Sequence, residues 1–437
     1  MHVARSFGLR ISVALLALIL GAAPVVSAQD AAVRGKVAYD LGYGYENEEL
    51  VENGLSFELN VEKRLGFDGK VYVGFDGLVP AAGTTRVQLR EAYADLYLAN
   101  SDWRIGRQVI SWGTADGLNP TNVINPRGPL STASLSLSEG ALKGEPLLAV
   151  QGSYYLPDGG SLTAVGVAEF VPAAGAGEML RAIAAEVGAQ LSAPPLPVDG
   201  PDPVPADGSQ FEWAVRGETL VGGHNVYVSY FRGWDDYPAA WLEYVQVPGG
   251  PIFGDVPTKV AAAYRRVHKF GLATAGTLGD AGVWTELSYT LPEKLDELDG
   301  PGALSSNEGY VEAVVGGDYT FPGGVTLSAQ VIYSGGGSLL TPYKEPGADV
   351  EPQAYVAGIA RYSPEPGHTL EGIALANIGD GGIIAAGRYT YDILQVAKLT
   401  FGVSHVFAGK ESEFGALEAM ANLVTVGVEV SFQLGAR

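Results

Sequence analysis

The 437-residue chain contains no cysteine. That excludes disulfides and thiolate metal sites. Histidine is scarce. Besides His2 there are only His224, His268, His368 and His405, scattered along the chain. No H-E-x-x-H, phosphate-loop or EF-hand spacing occurs. With no catalytic constellation in view, we expect no enzyme, no cofactor and no metal site. Basic residues are few, 27 against 49 acidic, for a net charge of −22. A surplus of that sign argues against nucleic acid as a partner. Long apolar runs are missing too: beyond the first 28 residues, none approaches the ~20 that a spanning helix needs.

The N-terminus has the layout of an export signal. Arg5 and Arg10 are basic, Ile11 to Leu20 is almost wholly apolar, and Val26-Ser27-Ala28 fits a small-residue cleavage site. We expect residues 1–28 to be a cleaved signal peptide. Residues 29–437 then form a single domain, since no composition shift divides them.

Alternation with a period of two is abundant. Val37, Tyr39, Leu41 and Tyr43 share one face of their segment, against Arg34, Lys36 and Asp40 on the other. Leu55, Phe57, Leu59 and Val61 oppose Glu58 and Glu62, with Arg64 following in phase. Val71, Val73 and Phe75 oppose Lys70 and Asp76, and Phe211, Trp213 and Val215 oppose Glu212 and Arg216. Val283, Leu287 and Tyr289 oppose Trp284 and Glu286, and Val424 to Phe432 opposes Glu429. Runs of about ten residues match tilted strands crossing a bilayer, with lipid outside and water inside. Strands of soluble sandwiches average nearer 5–6 residues.

The connections alternate as well. About eighteen strands can be placed between 33–45 and 420–433. Even-numbered connections are short, such as Gly66-Phe67-Asp68, Gly279-Asp280 and Pro322-Gly323. Most odd ones are long: 112–143, 172–208, 234–264, 292–308, 337–352 and 409–419. Short periplasmic turns and long outer loops predict an all-β, transmembrane antiparallel β-barrel of the Gram-negative outer membrane. Sixteen strands is the alternative, because 265–278 and 368–392 carry the weakest patterns. Closure follows from hydrocarbon itself, which cannot satisfy an open sheet edge.

One stretch departs from the wall. Trp103 to Ile110 reads as a strand, and from Trp112-Gly113 onward Gly, Asn, Asp and Pro take over. The Asn119-Pro120 and Asn125-Pro126 steps bias each asparagine towards extended backbone. We read this as a built loop at the barrel mouth or in the lumen. The arrangement Gly106-Arg107-Gln108, Trp112-Gly113, Asn125-Pro126 resembles a family of Gram-negative porin-like outer-membrane barrels of unassigned function. It is also similar to alginate-export barrels. The resemblance covers residues 104–127 and implies a pore-forming barrel. One departure is the C-terminus: such barrels commonly end in an aromatic residue read by the barrel-assembly machinery, whereas Phe432 here precedes Gln-Leu-Gly-Ala-Arg.

Alternation assigns Arg34, Lys36, Asp40, Glu58, Glu62, Arg64, Lys70, Asp76, Glu212, Arg216, Glu286 and Glu429 to the lumen. There they either set ion preference or pair across strands. Arg104 and Arg107 either form a cationic eyelet facing Asp116 or anchor the loop together with Gln108, Trp112 and Asn125; anchoring is favoured for Arg107. Residues 178–191 have helical spacing and either plug the barrel or pack on other loops. The basic run Tyr264-Arg265-Arg266-Val267-His268-Lys269 meets solvent at a rim or attracts lipopolysaccharide phosphates. The expected function is passive diffusion of small polar solutes with a mild cation preference. The alternative is a substrate-specific transporter for a hydrophobic or polymeric substrate with a loop-plugged lumen. Expected partners are outer-membrane lipid and lipopolysaccharide, the barrel-assembly machinery and small solutes; a homo-oligomer stays open.

Overall fold

A computed structural model describes residues 31–127, 144–157, 159–245, 256–409 and 412–435. The expected signal peptide and its cleavage site lie outside them.

Among the described residues twenty-one strands form. The first seven are β1 (Ala31–Gly44), β2 (Glu49–Arg64), β3 (Gly69–Pro80), β4 (Arg86–Leu98), β5 (Ser101–Gln108), β6 (Leu147–Tyr155) and β7 (Ser161–Val167). Helix α1 (Ala176–Gln190) and strand β8 (Val198–Asp199) precede β9 (Glu212–Val221), β10 (His224–Trp234), β11 (Ala239–Val245), β12 (Val256–Ala263), β13 (Arg266–Leu278) and β14 (Ala281–Pro292). Then come β15 (Tyr310–Thr320), β16 (Val325–Ser334), β17 (Gln353–Tyr362), β18 (His368–Asn377), β19 (Ile383–Leu394), β20 (Ala397–Phe407) and β21 (Leu423–Gly435).

Eighteen of these make one antiparallel sheet, each strand bonded to the next. The sheet closes on itself because β1 pairs β2 on one side and β21 on the other: Val37 faces Phe57 and Val430. Closure leaves no unpaired edge, as hydrocarbon requires. The two segments with the weakest alternation are strands β13, β18 and β19, so the count is eighteen. Cross-strand partners project to the same face, and the outward set is apolar and exposed: Tyr39, Leu41, Leu287, Val331, Phe401 and Val428 among many. Phe432 stays in the belt, its ring lying over Gly35, where a Cβ would come within 2.2 Å of it.

The long-loop end carries its own small sheet. β11 and β12 form a hairpin, and β8 adds parallel to β12. Residues 234–264 read as a loop in sequence because these strands are short and neither Ala-Ala-Trp-Leu-Glu-Tyr-Val nor Val-Pro-Thr-Lys-Val-Ala-Ala-Ala alternates with a clear period of two. Helix α1 lays Leu180, Ala184 and Val187 on Ala240, Leu242, Val260 and Ala262 of this hairpin and on Leu304. It packs on other outer loops, the second of the two placements its spacing left open.

Candidate functional site: a loop strapped across the lumen

The strap begins where β5 ends. Gly106 has φ +135°, and a Cβ there would sit 2.2 Å from the Ala92 carbonyl oxygen. Only glycine fits this step. Two residues on, the buried Gln108 amide donates to the Ala149 carbonyl at 3.0 Å. The chain then leaves the wall and turns inward. Asn125 ties the base of the excursion. Its Oδ1 accepts from the Ile110 amide at 2.7 Å, and its Nδ2 donates to the Glu145 carbonyl at 2.6 Å. Arg127 donates to the carbonyls of Asn119 and Asn122 at 2.9 and 3.0 Å. Residues 128–143, the rest of the predicted 112–143 loop, lie outside the described residues.

One face of the loop is apolar. Ile110, Trp112 and Ile124 bury against Leu147, Ala149, Val165, Val167, Ala214, Phe231 and Val267, which are inward residues of β6, β7, β9, β10 and β13. Arg216 reaches the same patch from β9. Its guanidinium stands 5.1 Å from both the Trp112 and Tyr227 rings and donates to the Trp112 carbonyl. It therefore clamps the loop instead of standing free in the lumen.

The far end is latched to β14. Glu286 is 0 % exposed. Its Oε1 accepts from the Thr114 amide and hydroxyl and from the Ala115 amide at 2.8 Å. Its Oε2 accepts from the Thr121 amide at 3.0 Å and hydroxyl at 2.8 Å. A buried carboxylate is tolerable when its lone pairs are filled this way. Asp116 extends the span to β16, accepting from Ser328 Oγ at 2.6 Å, while Gln330 Nε2 donates to the Asp116 carbonyl at 2.8 Å. The loop thus runs from β5 across the lumen to β14 and β16.

The eyelet of Arg104 and Arg107 against Asp116 does not form, and the anchoring favoured for Arg107 is not seen either, since both arginines bond to groups outside the loop. Arg104 holds Asp95 on the next strand through bonds of 2.6 and 2.9 Å and lies 4.0 Å over the Tyr93 ring. Arg107 opposes the exposed Leu148, so it sits on the outward face, where it pairs with Glu169 at 2.9 Å. Period-two alternation puts it there, in phase with the exposed Trp103 and Ile105.

Most of the other predicted lumen charges form ladders. Lys36 reaches Glu58 at 3.1 Å and Glu429 at 3.8 Å. Lys70 reaches Glu62 at 3.7 Å and Asp95 at 3.6 Å. Asp76 pairs with Arg90 at 3.7 Å. Asp40 lies in the same rung as Gly427, two residues from Glu429, and Arg34 and Arg64 are exposed nearer the short-turn end. Glu212, expected in the water-filled lumen, is buried under the loops and accepts from the Trp234 amide at 2.7 Å. Sequence reasoning missed two hubs that its own alternation could have placed: Asp95, and Glu371, which binds Arg361 at 2.6 Å and Arg388 at 3.7 Å. It also missed Glu413, which accepts from Ser338, Leu339, Tyr355 and Asn377 and holds the last outer loop to the wall. Nothing local marks that residue.

Beneath the outer loops lies a cavity of about 490 Å³, lined by Asn119, Arg127, Asp235, Asp236, Lys269 and Glu308 among others. Burial pushes the Asp236 carboxyl up to about 7, against the pull of Lys269 and with a further push from Asp235. Burial also raises the Tyr237 hydroxyl. Among the described residues, no group of three or more His, Asp or Glu is placed to hold a metal ion.

No family model and no curated protein matches the sequence. Solved structures do. Pseudomonas aeruginosa OccK5 aligns over 93% of this chain and 98% of its own, with 10% identity and a TM-score of 0.50. P. aeruginosa OccK2, solved in complex with glucuronate, aligns over the same shares with 12% identity and a TM-score of 0.49. The outer membrane channel DcaP of Acinetobacter baumannii aligns over 92% of this chain and 96% of its own, with 13% identity and a TM-score of 0.41. Identities this low speak for the fold alone: a closed eighteen-stranded barrel of the Gram-negative outer-membrane kind.

Proposed function

We propose that this chain is a porin-like outer-membrane channel for passive diffusion of small polar solutes, narrowed by the loop from Val109 to Arg127. The observation that carries this reading is the chemistry of the uncovered wall. From β17 round through β1 to β4, Lys36, Glu58, Arg361 and Glu371 project inward and form ion pairs there. An inner surface of that kind holds water and passes polar solutes. The apolar inward residues are covered by loops, those from Leu147 to Val267 by this one and Tyr355, Leu375, Ile384 and Val406 by the last outer loop, which leaves little for a hydrophobic cargo. The net charge of −22 supports a mild cation preference. The resemblance of residues 104–127 to porin-like barrels supports a pore but names no solute.

A second reading is a substrate-specific transporter whose lumen is plugged. It draws support from the latch on Glu286 and Asp116, which fixes the loop at both ends. Single-channel recording of the refolded barrel under a salt gradient separates the two. Steady steps with a cation-sign reversal potential are the expected result. Silence from verified folded barrels would favour the plug.

A further inference from the structure

The basic run Arg265 to Lys269 is split by the strand period. Val267 is buried under the loop and Lys269 lines the cavity, so both turn inward. Arg266 and His268 turn outward, in phase with the exposed Phe270 and Leu272. On the adjacent strand β10, Trp234 opposes Arg266, Arg232 opposes His268, Tyr230 opposes Phe270 and Val228 opposes Leu272. The outer face of this strand pair therefore grades from cationic at the long-loop rim, through aromatic, to aliphatic toward the bilayer centre. That order matches headgroup, interface and acyl chain.

We propose that Arg232, Arg266 and His268 form a binding site for the phosphorylated headgroup of an outer-leaflet lipid. This rests on the outer-membrane placement of the barrel and not on conduction. Arg266 is pre-positioned: it lies 4.3 Å over the Trp234 ring and donates to the carbonyls of Phe211 and Ser209. The rest of its planar fork stays available for a phosphate oxygen. Arg232 is less committed, with one contact of 3.4 Å to His268 Nε2. Tyr230 sets that ring by a 2.8 Å bond to Nδ1. Among the described residues no carboxylate pairs with either arginine. Nearby Glu212 is buried and bonded to the Trp234 amide, and Glu293 contributes its backbone amide to the Arg266 carbonyl. Two unpaired guanidiniums on a lipid-facing rim are costly unless an anion meets them. Trp213, opposite Arg232, and Tyr230 give the lipid an aromatic shelf.

The test is native mass spectrometry of the full refolded barrel with bisphosphorylated lipid A, dephosphorylated lipid A and inorganic phosphate. The wild type is expected to retain the phosphorylated lipid about tenfold better than the dephosphorylated one, the worth of one charge-assisted contact. Arg232→Gln should lose about the same factor and Arg232→Lys should recover most of it, while channel conductance stays unchanged in both. Arg232 is the chosen site because Arg266 also supports the backbone at Ser209; His268→Gln is the second variant should Arg232→Gln not fold. Equal retention of the two lipids, or equal retention by wild type and Arg232→Gln, would overturn the proposal. Displacement of the lipid by millimolar inorganic phosphate would assign the site to the free ion and overturn the lipid.

Discussion

The two arcs of the inner wall obey one strand period and differ in what they turn inward. From β6 to β13 the inward residues are Leu147, Ala149, Val165, Val167, Ala214, Phe231 and Val267, and the loop covers them. From β17 through β1 to β4 the inward residues include ion pairs, with Lys36 and Glu58 side chains 38% and 52% exposed, and the apolar ones, Tyr355, Leu375, Ile384 and Val406, lie under Phe414 and Leu417 of the last outer loop. An apolar residue facing a water-filled lumen would be costly if bare, so an apolar inner arc marks a surface that something covers. The loop is the cover, and its two polar ends are the fastenings. Alternation alone locates the wall; the inward chemistry tells which arc the loop covers.

The strongest way to break this contrast is to put a charge on the covered arc. Val165→Asp would bury an unpaired carboxylate under Trp112 and Ile124, at a cost of at least ~3 kcal/mol. We expect the heat-resistant folded band on electrophoresis to weaken or vanish. Glu58→Leu, the opposite exchange on the open arc, should leave that band intact. Equal effects would erase the distinction between the arcs. Next in size is the latch. Glu286→Gln keeps the shape but removes the charge and one acceptor, leaving some of the five donors from Thr114, Ala115 and Thr121 unmatched. The loop should lift, and conductance should rise by a factor on the order of two, as expected if the strap covers about half the pore. An unchanged conductance would mean the loop does not set the open cross-section.

Why the wall was legible and the latch was not follows from range. Strand period and turn chemistry are local, so β13 and even the weakly patterned β18 and β19 could be placed from their own residues. The lumen side of Lys36, Glu58 and Lys70 followed from the same parity. Thr114 and Glu286 are 172 residues apart, and no local pattern records that they meet. The eyelet failed against the strand period itself: Arg104 and Arg107 are three residues apart, so unbroken alternation turns Arg107 outward with the exposed Trp103 and Ile105. For Glu212 and Glu286 the face was right and the cover was invisible.

Asp236 gives a smaller, titratable contrast between the cavity and the open arc. Its carboxyl is raised from an ordinary 3.8 to about 7. The folded barrel therefore keeps a proton there that the unfolded chain has already released, so its contribution to stability falls as pH rises through that window. Its charge appears only above about 7, when the cavity gains a negative group. The reversal potential should shift toward cations between about pH 6 and pH 8, the span over which such a group ionises. Asp236→Asn should flatten that step and leave the rest of the profile alone. A step that survives the substitution would place the titrating group elsewhere.

The smallest expected effect is on the open arc itself. Lys36 stands between Glu58 at 3.1 Å and Glu429 at 3.8 Å, with both partners partly in water. Exposed pairs of this kind contribute about 0–1 kcal/mol, because solvent already screens them. Lys36→Gln should therefore leave folding and heat resistance nearly unchanged. What it removes is the cation that neutralises two carboxylates lining the pore. The pair then presents uncompensated negative charge to passing ions, and the permeability ratio should move modestly toward cations. High salt should shrink that shift, since a screening length of about 3 Å at 1 M leaves little field across the lumen. If Lys36→Gln instead destabilised the barrel as Val165→Asp is expected to do, the open arc would be packed and not wet. The division of the wall into a covered half and a conducting half would then fail at the half that carries the proposed function.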